Sequence, residues 1–249
     1  MQLKDLENLY ANEKLIFVSG SGPSLHFVDP EMIKDYPIIA VNSSVAKFKD
    51  VTKLHFLSDD VGAASWGYYA HLLPTLDCMK FLYKKKLEKH TKNLKNVIFF
   101  NHTWWFSPLH RRYNLQGLVL HKDSDKPIIG ARTSLASAIH FAYIMAGPQT
   151  RIVLLGSDCS YIGNYRYYWQ FPNETKQRRI TGEPVFAQAN RGTYHGFAVD
   201  SHSMDFLKYW KAFAEQNKDT PDLHIINASG GILDVFERMP LEKVVEVYG

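Results

Sequence analysis

Cysteine is scarce. Cys78 and Cys159 are the two among 249 residues, too few for a disulfide framework or a four-cysteine zinc site. Long apolar runs are missing as well: those at 97–100 and 152–155 fall far short of the roughly 20 residues that cross a bilayer, so no membrane partner is expected. Internal repeats, low-complexity tracts and Pro/Gly-rich linkers are absent, which argues against a solenoid or a string of modules. The opening Met1-Gln2-Leu3-Lys4-Asp5-Leu6-Glu7 has charge with no apolar core behind it, so a signal peptide is not expected and a cytoplasmic location is.

What is present is a globular composition. Hydrophobic residues make up 45%, charged residues 22% and aromatics 14%. That supports one α/β domain over 1–249 with a real core and excludes a disordered chain or a coiled coil. The net charge is +4, mildly basic, with positive side chains gathered at 84–92 and at Lys176, Arg178 and Arg179. A solvated helix face and a polar loop account for these runs as simply as a polyanionic partner does.

Apolar stretches that fit buried parallel strands occur at 14–18, 37–42, 53–58, 96–101, 151–156 and 223–227. Helical periodicity marks 133–145, which stops at Gly147-Pro148, and 205–216; shorter helices are expected at 1–10 and 241–247. Residues 161–202 break the alternation with Tyr, Arg, Asn and Gly, as an irregular lid or binding insert would. The expected fold is a Rossmann-like, doubly wound, mostly parallel sheet, a variant of the GT-A kind, carrying that insert.

Ligands of such sheets sit beyond the carboxyl ends of the strands, and polar segments fall there. Ser19-Gly20-Ser21-Gly22-Pro23-Ser24 follows the first strand and suits either a phosphate-cradling loop or a tight turn; it lacks the third glycine of a dinucleotide fingerprint and the lysine of a P-loop. Asn42, Ser43 and Ser44 end the second strand, and Asp59 and Asp60 end the third. Vicinal carboxylates on extended chain point apart, so at most one serves a shared site. Asp123 and Asp125 have the Asp-x-Asp spacing that holds a divalent metal (Mg or Mn) in many sugar transferases, or form a charged surface turn. Gly156-Ser157-Asp158 precedes a run of rings, Tyr161, Tyr165, Tyr167, Tyr168 and Trp169, with Arg166 among them, which reads as ligand stacking rather than core. Trp104 and Trp105 add a second aromatic segment. His195 and His202 lie in or beside the insert, His202 at a helix start, where a histidine can act as a general base.

In order, the glycine segment 19–25, Val41-Asn42, Arg132-Thr133-Ser134 opening an Ala-rich helix, and residues 152–161 resemble the bacterial sialyltransferases of glycosyltransferase family 42. The same skeleton is similar to the domain-of-unknown-function 115 group, which includes 6-hydroxymethylpterin diphosphokinases; Asn227-Ala228-Ser229-Gly230-Gly231 and the segment to Leu241 resemble that group in particular. The first resemblance implies an inverting transferase using a nucleotide-sugar donor. Gly20, Ser21, Gly22, Asn42, Ser43, Thr133, Ser134, Asp158, Tyr161, Tyr165 and Tyr168 would contact the donor, and His202, with His195 or Asp59 as substitutes, would be the base. Asp59 stands where that family carries asparagine. The acceptor hydroxyl would belong to a glycan or to a hydroxylated base of DNA, with Trp104, Trp105, Arg166 and Trp169 on the acceptor side. The second resemblance implies diphosphate transfer from ATP to a pterin-like alcohol, with Asp59, Asp60 or Asp158 on magnesium; a non-catalytic nucleotide- or sugar-binding module is a third reading.

Overall fold

A computed structural model of the chain describes residues 2–58, 72–83, 88, 91, 94–103, 117–129, 133–171, 192–199 and 201–249. Strands in these residues are β1 (Leu15–Ser19), β2 (Ile38–Val41), β3 (Leu54–Ser58), β4 (Met79–Tyr83), β5 (Val97–Phe100), β6 (His102–Thr103), β7 (Ile128–Ile129), β8 (Arg151–Leu155), β9 (Gly192–Tyr194), β10 (Phe197–Val199), β11 (His224–Asn227) and β12 (Glu237–Arg238). Helices are α1 (Ser134–Met145), α2 (Ser201–Asn217) and α3 (Leu241–Tyr248).

Eight strands form one sheet in the order β12-β11-β8-β1-β2-β3-β4-β5, every neighbouring pair parallel. The α/β Rossmann-like expectation therefore holds, with a main sheet that is entirely parallel. β1 lies between β2 and β8, so the winding direction changes there, and the carboxyl rim of those strands is the topological switch point of the sheet.

The consecutive apolar residues of the central strands divide strictly by parity. Ile16, Val18, Ile39, Val41, Leu57, Ile152 and Leu154 pack on one face with α1 and with Tyr209, Trp210 and Phe213 of α2. Leu15, Phe17, Ile38, Ala40, Phe56, Val153 and Leu155 pack on the other, with Leu25, Val45 and Phe48 from short 3-10 turns and with Leu241 and Val244 of α3. Period-two alternation with both faces buried is the reason these strands are mainly apolar, with His55 the buried polar residue inside them and Ser19 and Ser58 at their carboxyl ends.

α1 is buried on every side from Leu135 to Met145, not only along the stripe its periodicity marks. Its two polar interior residues are matched to the backbone of the layer beyond. Ser137 Oγ donates to Ile129 O at 2.9 Å. His140 Nδ1 accepts from Ile129 N–H at 2.9 Å, so its proton sits on Nε2, which donates to His121 O at 2.8 Å. Burial, with a smaller contribution from His121, holds His140 down to about 3.

Three sequence expectations change. The helix expected at 1–10 is not an α-helix over the described residues 2–10: a 3-10 turn at Leu3–Leu6 gives way at Asn8, in the left-handed region at φ 58°, and Tyr10 bridges Ala146. Asn8 and Tyr10 donate their N–H groups to Ile144 and Met145 carbonyls instead of to their own turn. β4 carries Lys80 at a position 1% exposed. Its ammonium donates to the carbonyls of Leu76, Cys78 and Lys95 at 3.0, 2.8 and 3.3 Å, which is how a lysine occupies a parallel strand. Finally, the 161–202 insert contains local structure: a tight turn at Ile162 and Tyr165, a 3-10 turn at Tyr168–Gln170, and the β9–β10 hairpin. His195 and Gly196, at φ 47° and 81°, form the two-residue hairpin loop.

Candidate functional site

The carboxyl rim at the β1 switch point is built from serines, glycines and an asparagine. Asn42, just past β2, stands at φ 52°, a left-handed conformation asparagine tolerates better than most residues. From there its amide spans two elements: Oδ1 accepts from Ser58 Oγ of β3 at 2.8 Å, and Nδ2 donates to Ser134 Oγ of α1 at 3.4 Å. Thr133 caps α1, its hydroxyl accepting from Leu135 N–H at 3.3 Å, so the positive end of that helix reaches the same rim. Ser43 Oγ donates to Ser21 Oγ at 2.8 Å, and Ser44 Oγ donates to Ser19 O. Hydroxyls after β1 and β2, at the end of β3 and at the start of α1 thus line the rim as a ledge of short hydrogen-bonded groups.

The glycines do a different job from the one expected of a phosphate cradle. Gly20 and Gly22 donate their N–H groups to Leu155 O and Gly156 O, both at 2.8 Å, so these two amides are spent on the loop after β8. A Cβ on Gly20 would lie 2.6 Å from Gly156 O, and one on Gly156, itself at φ 59°, would lie 2.7 Å from Gly20 O. Two loops pressed back to back require glycine at both positions. The Ser21 N–H between them makes no hydrogen bond among the described residues.

Asp158 lies at the centre of this contact, 1% exposed. Oδ2 accepts from Ser24 N–H at 3.1 Å and Ser24 Oγ at 2.9 Å, capping the 3-10 turn Pro23–Phe27. Oδ1 is buried with no partner among the described residues. Burial pushes the carboxyl up to about 6, against the pull of the Ser24 donors, its own N–H and Arg238. Behind it, Ser229 Oγ accepts from Ser157 N–H at 2.8 Å and Asn227 Nδ2 donates to Leu233 O, fixing the β11 loop to the β8 loop.

The aromatic segment packs more than it presents. Tyr168 is completely buried: its hydroxyl donates to Ser43 O at 2.7 Å and its N–H to Ser21 O at 3.1 Å. It is therefore a pin joining the insert to the ledge rather than an open donor contact. Trp169, 3% exposed, stacks on Tyr167 at 5.2 Å, and Tyr161 is buried with its N–H bonded to Ala198 O. The expectation that five rings at 161–169 lie outside the core is corrected, because Tyr168 and Trp169 pack with Leu25, Val45 and Phe48 over the short 3-10 turns, where a doubly wound fold would carry full helices. Tyr165 and Arg166 are half-buried; Tyr165 packs on Phe171 at 4.2 Å and Arg166 lies over the Tyr161 and Tyr167 rings.

Asp123 and Asp125 do not join this rim. Asp123 Oδ1 accepts from Asp125 N–H and its other oxygen pairs with Lys126, while neighbouring Lys122 donates to Ala146 O at the far end of α1. They form a charged turn near the end of α1 opposite the rim. Among the described residues no group of three His, Cys, Asp or Glu side chains is placed to hold a metal ion. His195 is exposed at the hairpin tip, and the hairpin meets the rim through the Tyr161–Ala198 bridge. His202 lies in the first turn of α2, its side chain outside the described residues, as are Asp59, Asp60, Trp104 and Trp105 entirely.

Ser24, Ser58 and the buried state of Asp158 are the features sequence reasoning did not single out. Ser24 and Ser58 sat inside segments already marked as polar strand ends. No protein-family model, curated protein or solved structure matches the chain. No described helix is long and apolar enough to cross a membrane.

Proposed function

We propose that this chain is a glycosyltransferase that lays a nucleotide-linked sugar across the carboxyl rim and passes the sugar, with inversion, to an acceptor hydroxyl. The observation that carries this reading is the hydroxyl and amide ledge of Ser21, Ser43, Asn42, Ser58 and Ser134 at the switch point, with the α1 N-terminus directed at it. Oriented neutral dipoles suit a leaving nucleotide whose negative charge grows during transfer. The order of the motifs, which resembles that of the bacterial sialyltransferases, narrows the ligand to a sugar nucleotide. His202, in the first turn of α2, is the proposed base for the acceptor hydroxyl, with His195 and Asp59 as the other candidates. The acceptor is a glycan or a hydroxylated DNA base, on the strength of the basic run at 84–92 and the rings Trp104 and Trp105.

Thermal-shift titration with UDP-, CMP- and GDP-sugars and with ATP, each with and without magnesium, tests the reading. A sugar nucleotide at 100 times its Kd adds about 2.7 kcal/mol, roughly 5–10 °C for a chain of this size. One sugar nucleotide is expected to stabilise wild type and to bind Asn42→Ala at least tenfold more weakly. His202→Ala is expected to keep donor affinity and lose transfer. Stabilisation by ATP and magnesium alone would replace this reading with diphosphate transfer, and no response to any nucleotide would leave a non-catalytic module.

A further inference from the structure

Two polar side-chain atoms at the rim are buried with no hydrogen-bond partner among the described residues: Asp158 Oδ1 and Ser160 Oγ. Both face the Gly230-Gly231 pair of the loop after β11. A Cβ on Gly230 would lie 3.0 Å from Asp158 Oδ1, and a Cβ on Gly231 would lie 2.6 Å from Ser160 Oγ. Gly231 stands at φ 74°, and between the two polar residues Cys159 stands at φ 53°, so the left-handed region is used on both sides of the contact. Gly230 is half-exposed and lies against both Asp158 Oδ1 and Ser24, where its Cβ would come 3.0 Å from Oδ1 and 3.4 Å from Ser24 Cβ. Leaving a carboxylate oxygen and a hydroxyl unpaired in the interior destabilises the folded chain; the first calls for a donor and the second for an acceptor, and a hydroxyl supplies both.

We infer that Asp158 Oδ1 and Ser160 Oγ form a recess, closed here by Gly230, that receives one hydroxyl of the ligand's sugar ring. The hydroxyl donates to the carboxylate and accepts from Ser160, and Gly230 moves aside to admit it. An ammonium group would have nothing to accept the Ser160 proton, so a hydroxyl fits better. The recess adjoins Gly22, whose Cβ would strike Asp158 Oδ2, so a ligand whose phosphate meets the Ser21 N–H beside it can reach the recess with its ring. The inference rests on the nucleotide-sugar reading and names the feature of the ligand that the site selects. A pentose hydroxyl of the nucleotide and a hydroxyl of the transferred sugar share this chemistry, and separate arms of one experiment distinguish them.

Calorimetric titration of the full chain uses UDP, CDP, GDP and ADP with their 2′- and 3′-deoxy forms, then the matching nucleotide sugars lacking single hexose hydroxyls. Deleting one particular hydroxyl is expected to weaken binding to wild type about 10- to 100-fold, the scale of a hydrogen bond to a charged group. The same deletion is expected to change binding to Ser160→Ala less than about threefold, because that partner is already gone, and to change binding to Asp158→Asn less than it changes wild type, because the charge that strengthens the bond is removed. A merely structural role for Asp158 would weaken every ligand alike and leave the discrimination intact. Should Asp158→Asn fail to fold, Ser160→Ala alone decides, since it removes only an unpaired hydroxyl. Nucleotide binding with no hydroxyl deletion that these variants erase would show that the recess holds solvent only and overturn the inference while sparing the donor reading. No nucleotide binding at all would remove both.

Discussion

Replacing His140 tests how α1 is held against the sheet. Its ring accepts from Ile129 N–H and donates to His121 O inside the protein, so His140→Ala strands two buried backbone groups and opens a void. Each stranded group costs about 1–3 kcal/mol, which gives a loss of about 3–5 kcal/mol at pH 7 once the void is included. The pH dependence is sharper. The folded pKa, about 3, lies below the unfolded value of 6.5, so the stability His140 contributes is complete above pH 6.5 and is lost as pH falls toward 3. At pH 5 the unfolded chain gains this proton and the folded chain does not, a difference of about 1.5 pH units or about 2 kcal/mol. Urea unfolding of wild type and His140→Ala at pH 7 and pH 5 should therefore show the gap between them narrowing by about 2 kcal/mol. The subtraction removes His55, held at about 4 by burial, and Asp158, both common to the two proteins. A gap equal at the two pH values would refute the neutral, doubly bonded histidine. Because α1 also presents Thr133 and Ser134 to the rim, ligand affinity should weaken together with that stability.

Three further outcomes follow from the rim. Asn42→Gly keeps the left-handed conformation and Asn42→Ala does not, so calorimetric melting should find alanine about 1 kcal/mol less stable than glycine, while both lose the Ser58 and Ser134 bridge and bind donor at least tenfold more weakly. Tyr168→Phe removes the hydroxyl donated to Ser43 O and should cost about 1 kcal/mol in urea unfolding with donor affinity unchanged within about threefold; a larger affinity loss would restore it as a ligand contact. Gly22→Ala places a methyl group against the Asp158 carboxylate and 2.6 Å from Gly156 O, so denaturant unfolding should show a loss of about 3 kcal/mol.

Much of this fold was legible from hydrophobic pattern because a parallel sheet covered on both faces demands mainly apolar strands, and β1, β2 and β8 supply them, with β3 interrupted by His55. β4 escaped because Lys80 interrupts its pattern, and only tertiary structure reveals the three carbonyls that accept the ammonium. The N-terminal segment misled because its apolar spacing is helical, whereas Asn8 and the α1 carbonyls offer a competing set of hydrogen bonds. At the site, the strand-end position of Asn42, Ser43 and Asp158 could be read directly. Whether a ring near the rim faces a ligand or the interior depends on what covers the second face of the sheet, and sequence period is silent on that. Tyr168 and Trp169 turned inward because Pro23–Phe27 and the turn at Asn42–Lys47 are too short to cover it alone.

The make-up of the ledge has a bearing on ionic strength. Serine hydroxyls, one asparagine amide and the end of a helix attract an anion through dipoles, whose reach is a few ångströms, whereas lysine and arginine attract it through monopoles that added salt screens over about 10 Å. A phosphate seated on such a surface would dissociate at nearly the same rate in dilute buffer and at the ionic strength of a cell, and its capture would gain little from long-range attraction by these groups.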